Sequence, residues 1–146
     1  MKVFVSSSWR NHRQPEVVAA IKAKGHEVYD FRDPRPDSED VKGFAWGEID
    51  QDWQGWTAAQ FRKALDIPRV IQGFDLDMDA LRDADAVVMV QPCGRSAALE
   101  LGWAAGAGKP TVVLLADGEP ELMLKMASHF CLSLDEVLDI LTQLQF

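Results

Sequence analysis

The sequence predicts a single-domain α/β protein, and three observations carry that expectation. Short runs rich in β-branched residues alternate with helical segments along the chain. The runs at 3–5, 86–90 and 111–115 are apolar on both faces, as strands of a parallel sheet covered on each side are. The length of 146 residues, 47% apolar and 26% charged, fits one domain and is too short for two full-sized ones. The expected architecture is a flavodoxin/Rossmann-like three-layer sandwich around a mostly parallel sheet of about five strands.

Residues 2–6 read as a buried strand and are followed by the polar turn Ser6-Ser7-Ser8-Trp9-Arg10-Asn11. A helix is expected over 14–24, with Pro15 in its first turn and Gly25 as its stop. Residues 27–31 form a second short strand and complete a β-α-β unit. Residues 32–73 then read as a Trp-rich insertion, broken by Pro34, Pro36, Gly43 and Gly47, with its best helix at 58–65. A long excursion inside a compact domain tends to be functional. Regular alternation resumes with a helix over 76–84 capped by Asp75, a strand at 86–90, a turn at 92–95, and a helix at 96–107 stopped by Gly108, Lys109 and Pro110. A strand at 111–115, a helix at 119–127 and a closing helix at 134–144 capped by Ser133 finish the pattern. No internal repeat or low-complexity tract is visible.

Fifteen Lys and Arg against 23 Asp and Glu leave a formal charge of -8. That balance argues against a nucleic-acid polymer or an anionic membrane as partner, yet leaves room for one small anion held by local cations. Cys93 and Cys131 lie far apart, with no Cys/His spacing of a zinc site, so no metal is expected. The opening residues lack the basic and long apolar regions of a signal peptide, and no apolar run reaches the roughly 20 residues of a membrane span. A cytoplasmic protein is expected.

Ligands of open parallel sheets bind beyond the carboxyl ends of the strands, so chemistry should sit in 6–12, 32–56, 91–100 and 116–120. In the first turn, Ser6, Ser7, Ser8, Trp9 and Arg10 could receive an anion, or could simply cap the next helix; the residues alone leave both readings open. In Cys93-Gly94-Arg95-Ser96-Ala97-Ala98-Leu99-Glu100-Leu101-Gly102, Glu100 is a lone acid in a helix expected to be buried almost all round. A carboxylate there is costly without a partner or a task, and the functional reading is preferred over a merely structural one. Asp77 belongs to an acidic run, Asp75 to Asp85, whose members are mostly expected to be solvated charges at a helix start. Cys93 has no His partner and reads as a filler. The scattered His12, His26 and His129 make no catalytic set. Trp46, Trp53 and Trp56 either form a small core of their own or offer one ring, Trp46 being the candidate, to a flat ligand.

Together these segments resemble the nucleoside 2-deoxyribosyltransferase-like superfamily, which includes 2'-deoxynucleoside 5'-phosphate N-hydrolases. The similarity rests on Val3 to Arg10, on Asp77-Met78-Asp79-Ala80-Leu81 followed by Ala84-Asp85-Ala86-Val87-Val88, on Leu99-Glu100-Leu101-Gly102, and on Gly108-Lys109-Pro110. It spans about 1–10 and 74–116, not the insertion or the last thirty residues. The resemblance implies that Glu100 is a nucleophile attacking C1' of a sugar, and that Asp77 serves the sugar or delivers a proton to the base. It implies that Ser8 and Arg10 hold a 5'-phosphate and that the protein is a homodimer or higher oligomer; Gly94, followed by Arg95 and Ser96, departs from the family and suggests a more electropositive pocket mouth, and the chemistry of the residues calls for no cofactor. Two positions depart from the pattern: Ser7 replaces a common glycine, and Gly94 stands where transferases carry an acid. The second departure weighs against transfer.

The residue types suit the chemistry. Breaking an N-glycosidic bond develops positive charge at C1', which a carboxylate stabilises or captures. A second carboxyl can protonate the departing base. The first expectation is therefore an N-glycosidase or N-deoxyribosyltransferase acting on a small-molecule nucleoside or nucleoside 5'-monophosphate. Competing with it are a non-catalytic nucleotide-binding or sensing domain on the same scaffold, and an interaction domain that uses its tryptophans.

Overall fold

The structure is a computed structural model that describes residues 1–145. Strands β1 (Lys2–Ser6), β2 (Glu27–Asp30), β3 (Ala86–Val90), β4 (Thr111–Leu114) and β5 (His129–Cys131) form one all-parallel sheet in the order β2-β1-β3-β4-β5. Helices α1 (Gln14–Ala23) and α5 (Leu134–Leu144) cover one face. Helices α3 (Pro68–Asp83) and α4 (Arg95–Gly106) cover the other. The single-domain three-layer α/β sandwich expected from the alternation is the observed fold.

Strand pleating divides the core. Val3, Val5, Val88, Val90, Val112 and Leu114 point to the layer of Val17, Ile21, Val137 and Leu141. Phe4, Val87, Met89 and Val113 point to Leu81, Ala97, Leu101 and Ala104. The order in which strands are added reverses between β1 and β3, because β2 lies outside β1 while β4 and β5 continue beyond β3. This switch point opens a crevice at the strands' carboxyl ends.

Several expectations need correction. The helix predicted from 76 begins at Pro68, after Ile67, so Asp75 lies inside it and caps nothing. Pro68 suits a first turn because its missing N–H would have no intrahelical acceptor. Gly73, the expected end of the insertion, is buried mid-helix, where an added Cβ would lie 2.8 Å from the Phe44 Cβ. The acidic run therefore occupies the second half of α3, not a helix start. Asp83 pairs with Lys2 and Asp79 with Arg82, while Lys109 donates to the carbonyls of Arg82 and Ala84 at the helix end. The helix expected over 119–127 is a short 3-10 turn, Leu122–Met126, and β5 follows it unannounced. Finally, α4 is not buried all round: Ala97, Leu101 and Ala104 face the sheet, whereas Leu99 is 75% exposed. Small apolar composition fits both faces, and only neighbouring elements decide which is covered.

Between β2 and α3 the chain makes 3-10 turns at Trp46–Glu48 and Trp53–Gly55 and the helix α2 (Ala58–Ala64). Trp46 is edge-on to Phe44, Trp56 and Phe61, and Trp56 donates to Asp50. The segment thus carries a small aromatic core of its own.

Candidate active site

The candidate site lies at the switch point, between α3 and α4. The loop after β1 and the loop after β3 are stapled across it: Ser7 Oγ and Asn11 Nδ2 both donate to the Val90 carbonyl, and Asn11 also donates to the Pro92 carbonyl. At about 100° per residue, Ala97, Leu101 and Ala104 turn one stripe of α4 to the sheet. Glu100 then falls on the flank towards α3, and Ala98 and Gly102 on the opposite flank.

Ser6, buried at the end of β1, donates from Oγ to Oε2 of Glu100 at 2.5 Å. Oε1 is left without a protein donor among the described contacts. Burial pushes the Glu100 carboxyl up to about 7; the Ser6 hydrogen bond opposes that shift and the Asp77 charge adds to it. Asp77, half-buried on α3, is raised by burial and lowered by a hydrogen bond from the Tyr29 hydroxyl to its Oδ1 at 2.7 Å. Tyr29 stacks on Phe4, its neighbour across the β1–β2 ladder, with ring centroids 5.1 Å apart. Its phenol is raised strongly by burial first, then by Asp77 and Glu100, so it stays a donor. Two acids from two helices thus share one water-poor site, each holding one oxygen to a hydroxyl.

The remaining sequence-predicted residues divide into groups. Ser8 Oγ accepts from the Arg10 backbone N–H, so of the three loop serines it alone keeps an uncommitted hydroxyl proton among the described contacts. Trp9 is half exposed, donates to the Phe44 carbonyl, and packs edge-on against Phe31. Arg10 and Arg95 are exposed, and among the described residues neither forms an ion pair; Glu48, a candidate partner for either, pairs with Arg69. Gly94 precedes α4 without a side-chain cap, and Arg95 and Ser96 open the helix. Gly94 and Arg95 border a groove of about 600 Å³, lined also by Gln91, Cys93, Asp117 and Met126, that lies on the flank of α4 away from Glu100. Cys93 joins the two regions: it lines the groove, and its thiol is raised by burial and by the Glu100 charge. Trp46 belongs to the aromatic core and has no described contact with the carboxyl pair.

Sequence reasoning missed two residues here. Tyr29, the only tyrosine of the chain, sits at the ligand end of a strand, and that placement was the available signal. Arg32 donates from Nη2 to the carbonyls of Ser8, Trp9 and Asn11, and its guanidinium lies 5.5 Å from the Trp9 ring centre. It holds the first loop in shape. Among the described residues no group of three His, Cys, Asp or Glu side chains could hold a metal. No helix among them is long and apolar enough to cross a membrane.

Comparison with known proteins enters at this point. No family model and no curated protein matches the chain. Solved structures do. The chain is similar to a 2-deoxyribosyltransferase from Bacillus psychrosaccharolyticus, with a TM-score of 0.60 and 17% identity over 94% of this chain and 90% of that one. It is similar also to a CMP N-glycosidase from Clostridium botulinum, with a TM-score of 0.53 and 19% identity over 97% and 99% of the two chains. The fold is shared with both, in keeping with the superfamily resemblance read from the sequence.

Proposed function

We propose that the protein is an N-glycosidase or N-deoxyribosyltransferase for nucleosides or nucleoside 5'-monophosphates, with Glu100 as nucleophile and Asp77 as its partner acid. The observation that carries the reading is the carboxyl pair itself: Glu100 and Asp77, close enough that the Asp77 charge raises the Glu100 carboxyl, at the switch point of this fold. The structural neighbours, a deoxyribosyltransferase and a CMP N-glycosidase, support the substrate class.

In the proposed reaction Ser6 holds Oε2 of Glu100, and Oε1 attacks C1'. The C1'–N bond breaks with its electron pair going to the base, and the base takes the proton of Asp77. Water, or an acceptor base in transfer, then attacks C1' of the glycosyl ester and gives its proton to the Asp77 carboxylate. Glu100 is released ionised. The Ser8 hydroxyl, Arg10, and the N-terminus of α4 with Gly94, Arg95 and Ser96 would hold a 5'-phosphate, since an uncapped helix start and charged donors favour an anion. Ser7 serves as a loop staple and Trp9 offers its half-exposed ring to the ligand, while Trp46 stays in the aromatic core that backs Phe44. We take the protein to be a cytoplasmic homodimer. The exposed apolar Leu99, Trp103, Met123 and Met126 suit a second copy, and two free cysteines suit a reducing compartment.

The test is incubation with ribo- and deoxyribonucleosides and their 5'-monophosphates, with and without an acceptor base, followed by chromatography for free or exchanged base. Base release or exchange from any of them supports the reading. Nucleotide-dependent thermal stabilisation without turnover would replace it with the non-catalytic binding domain.

A further inference from the structure

We infer that Tyr29 is a positioning residue for the proton step: by donating to Oδ1 of Asp77 it confines the transferable proton to Oδ2, the oxygen left to meet the departing base. The inference rests on the proposed reading of Asp77 as the acid of a glycosyl-cleaving site.

Three observations bear on it. The Tyr29 ring is fixed, stacked on the fully buried Phe4 and paired with it across the strands. Its hydroxyl donates to Asp77 at 2.7 Å and, among the described contacts, to nothing else. The groups facing the pair are Ser6 on β1 and Glu100 on α4, while Asp30, next to Tyr29 on β2, acts on it by charge from the other face, where it accepts from Gln14; the charged ones are all acids, and none of the described ion pairs reaches Asp77. With Oδ1 occupied by a donor, a second proton on that oxygen would set two O–H groups against each other. The proton therefore resides on Oδ2. The same hydrogen bond stabilises the carboxylate left behind once that proton has gone to the base nitrogen with the breaking C1'–N bond, so it favours the transfer. Tyr29 keeps its own proton throughout.

Tyr29→Phe removes the hydroxyl and keeps the ring on Phe4. It is expected to lower kcat for base release about 10- to 100-fold with little change in KM. A 4-nitrophenyl glycoside of the same sugar has a leaving group that needs no proton, and its cleavage is expected to stay near the wild-type rate. In the free protein, the midpoint of the Asp77 carboxyl followed by 13C NMR should rise in the variant. Because the chain has one tyrosine, biosynthetic replacement by 3-fluorotyrosine changes Tyr29 alone. Its more acidic phenol should move the same midpoint down without loss of ring packing. Equal losses on both leaving groups, or a midpoint that neither change moves, would overturn the inference while leaving base release intact. A wild-type protein that releases no base from any nucleoside or nucleotide overturns the reading beneath it, and the inference with it.

Discussion

At the scale of single residues, Glu100 illustrates how one carboxyl can serve reactivity at the expense of stability. Its pKa in the folded protein, about 7, lies above the roughly 4.3 of an unfolded chain. Between those values the folded state retains a proton that the unfolded state has lost, so stability falls as pH rises through this window. Each pH unit is worth about 1.4 kcal/mol, so over this window Glu100→Gln, which keeps an acceptor for Ser6, should add about 3–4 kcal/mol above pH 8 and almost nothing below pH 4. Melting curves of both proteins across that range check it, and a constant gap would show that ionisation of Glu100 is not what costs stability. Activity needs Glu100 ionised and Asp77 protonated together, so base release should pass through a maximum with pH instead of climbing, and the Gln variant should release none while remaining folded. Glu100 was legible in the sequence as a lone acid among small apolar neighbours, whereas Asp77, one of an acidic run, was singled out only by the superfamily resemblance. Tyr29 was not, since its meaning depends on the β1–β2 pairing that brings Phe4 beneath its ring.

Among the elements, the segment between β2 and α3 is fastened to the first ligand loop at three points. Trp9 donates to the Phe44 carbonyl, Arg32 gathers the carbonyls of Ser8, Trp9 and Asn11, and Gly43 packs against the Trp9 ring and the Phe31 and Arg32 carbonyls of its own segment. A Cβ at residue 43 would collide with the Phe31 carbonyl oxygen and would lie 2.9 Å from both the Arg32 carbonyl oxygen and a Trp9 ring carbon. Backbone cannot yield as a side-chain tip can, so Gly43→Ala should cost about 1–3 kcal/mol. For a chain of this size that corresponds to a drop in Tm of roughly 2–10 °C. Gly47→Ala, where an added Cβ meets nothing within 4 Å, is the control and should melt with the wild type. Equal melting of all three proteins would show that the fastening is not tight. Continuous apolar runs made β1, β3 and β4 readable, and buried stripes at helical spacing made α1, α4 and α5 readable. Such patterns failed where geometry is set by contact instead. A three-residue β5 is too short to show alternation, and the first half of α3 was hidden by a glycine whose reason is the Phe44 side chain. Arg32 escaped for a similar cause, its acceptors being main-chain carbonyls that carry no side-chain signature.

For the molecule as a whole, the formal charge of -8 sets the terms on which an anionic substrate could approach. A phosphate is repelled by the overall field, so it can be held only where cations stand locally free. Arg69, Arg82 and Lys2 are engaged with Glu48, Asp79 and Asp83, whereas Arg10 and Arg95 have no acidic partner among the described residues. Both stand near the carboxyl ends of the parallel strands, Arg10 in the turn after β1 and Arg95 at the start of α4 after β3, on the two sides of the switch point. A charge-assisted contact to phosphate contributes roughly 1.5–3 kcal/mol, so losing one should weaken nucleotide binding about 10- to 150-fold. Binding of the corresponding nucleoside should change little, and the gap between the two ligands should narrow as salt is raised. Arg10→Ala and Arg95→Ala, each titrated with a nucleoside 5'-monophosphate and its nucleoside at two ionic strengths, separate the possibilities. If one variant alone loses the preference, that arginine reads the phosphate, and the pocket mouth lies on its side of the crevice. If both ligands weaken equally, the arginines shape the loops, and free nucleosides become the better substrates to pursue.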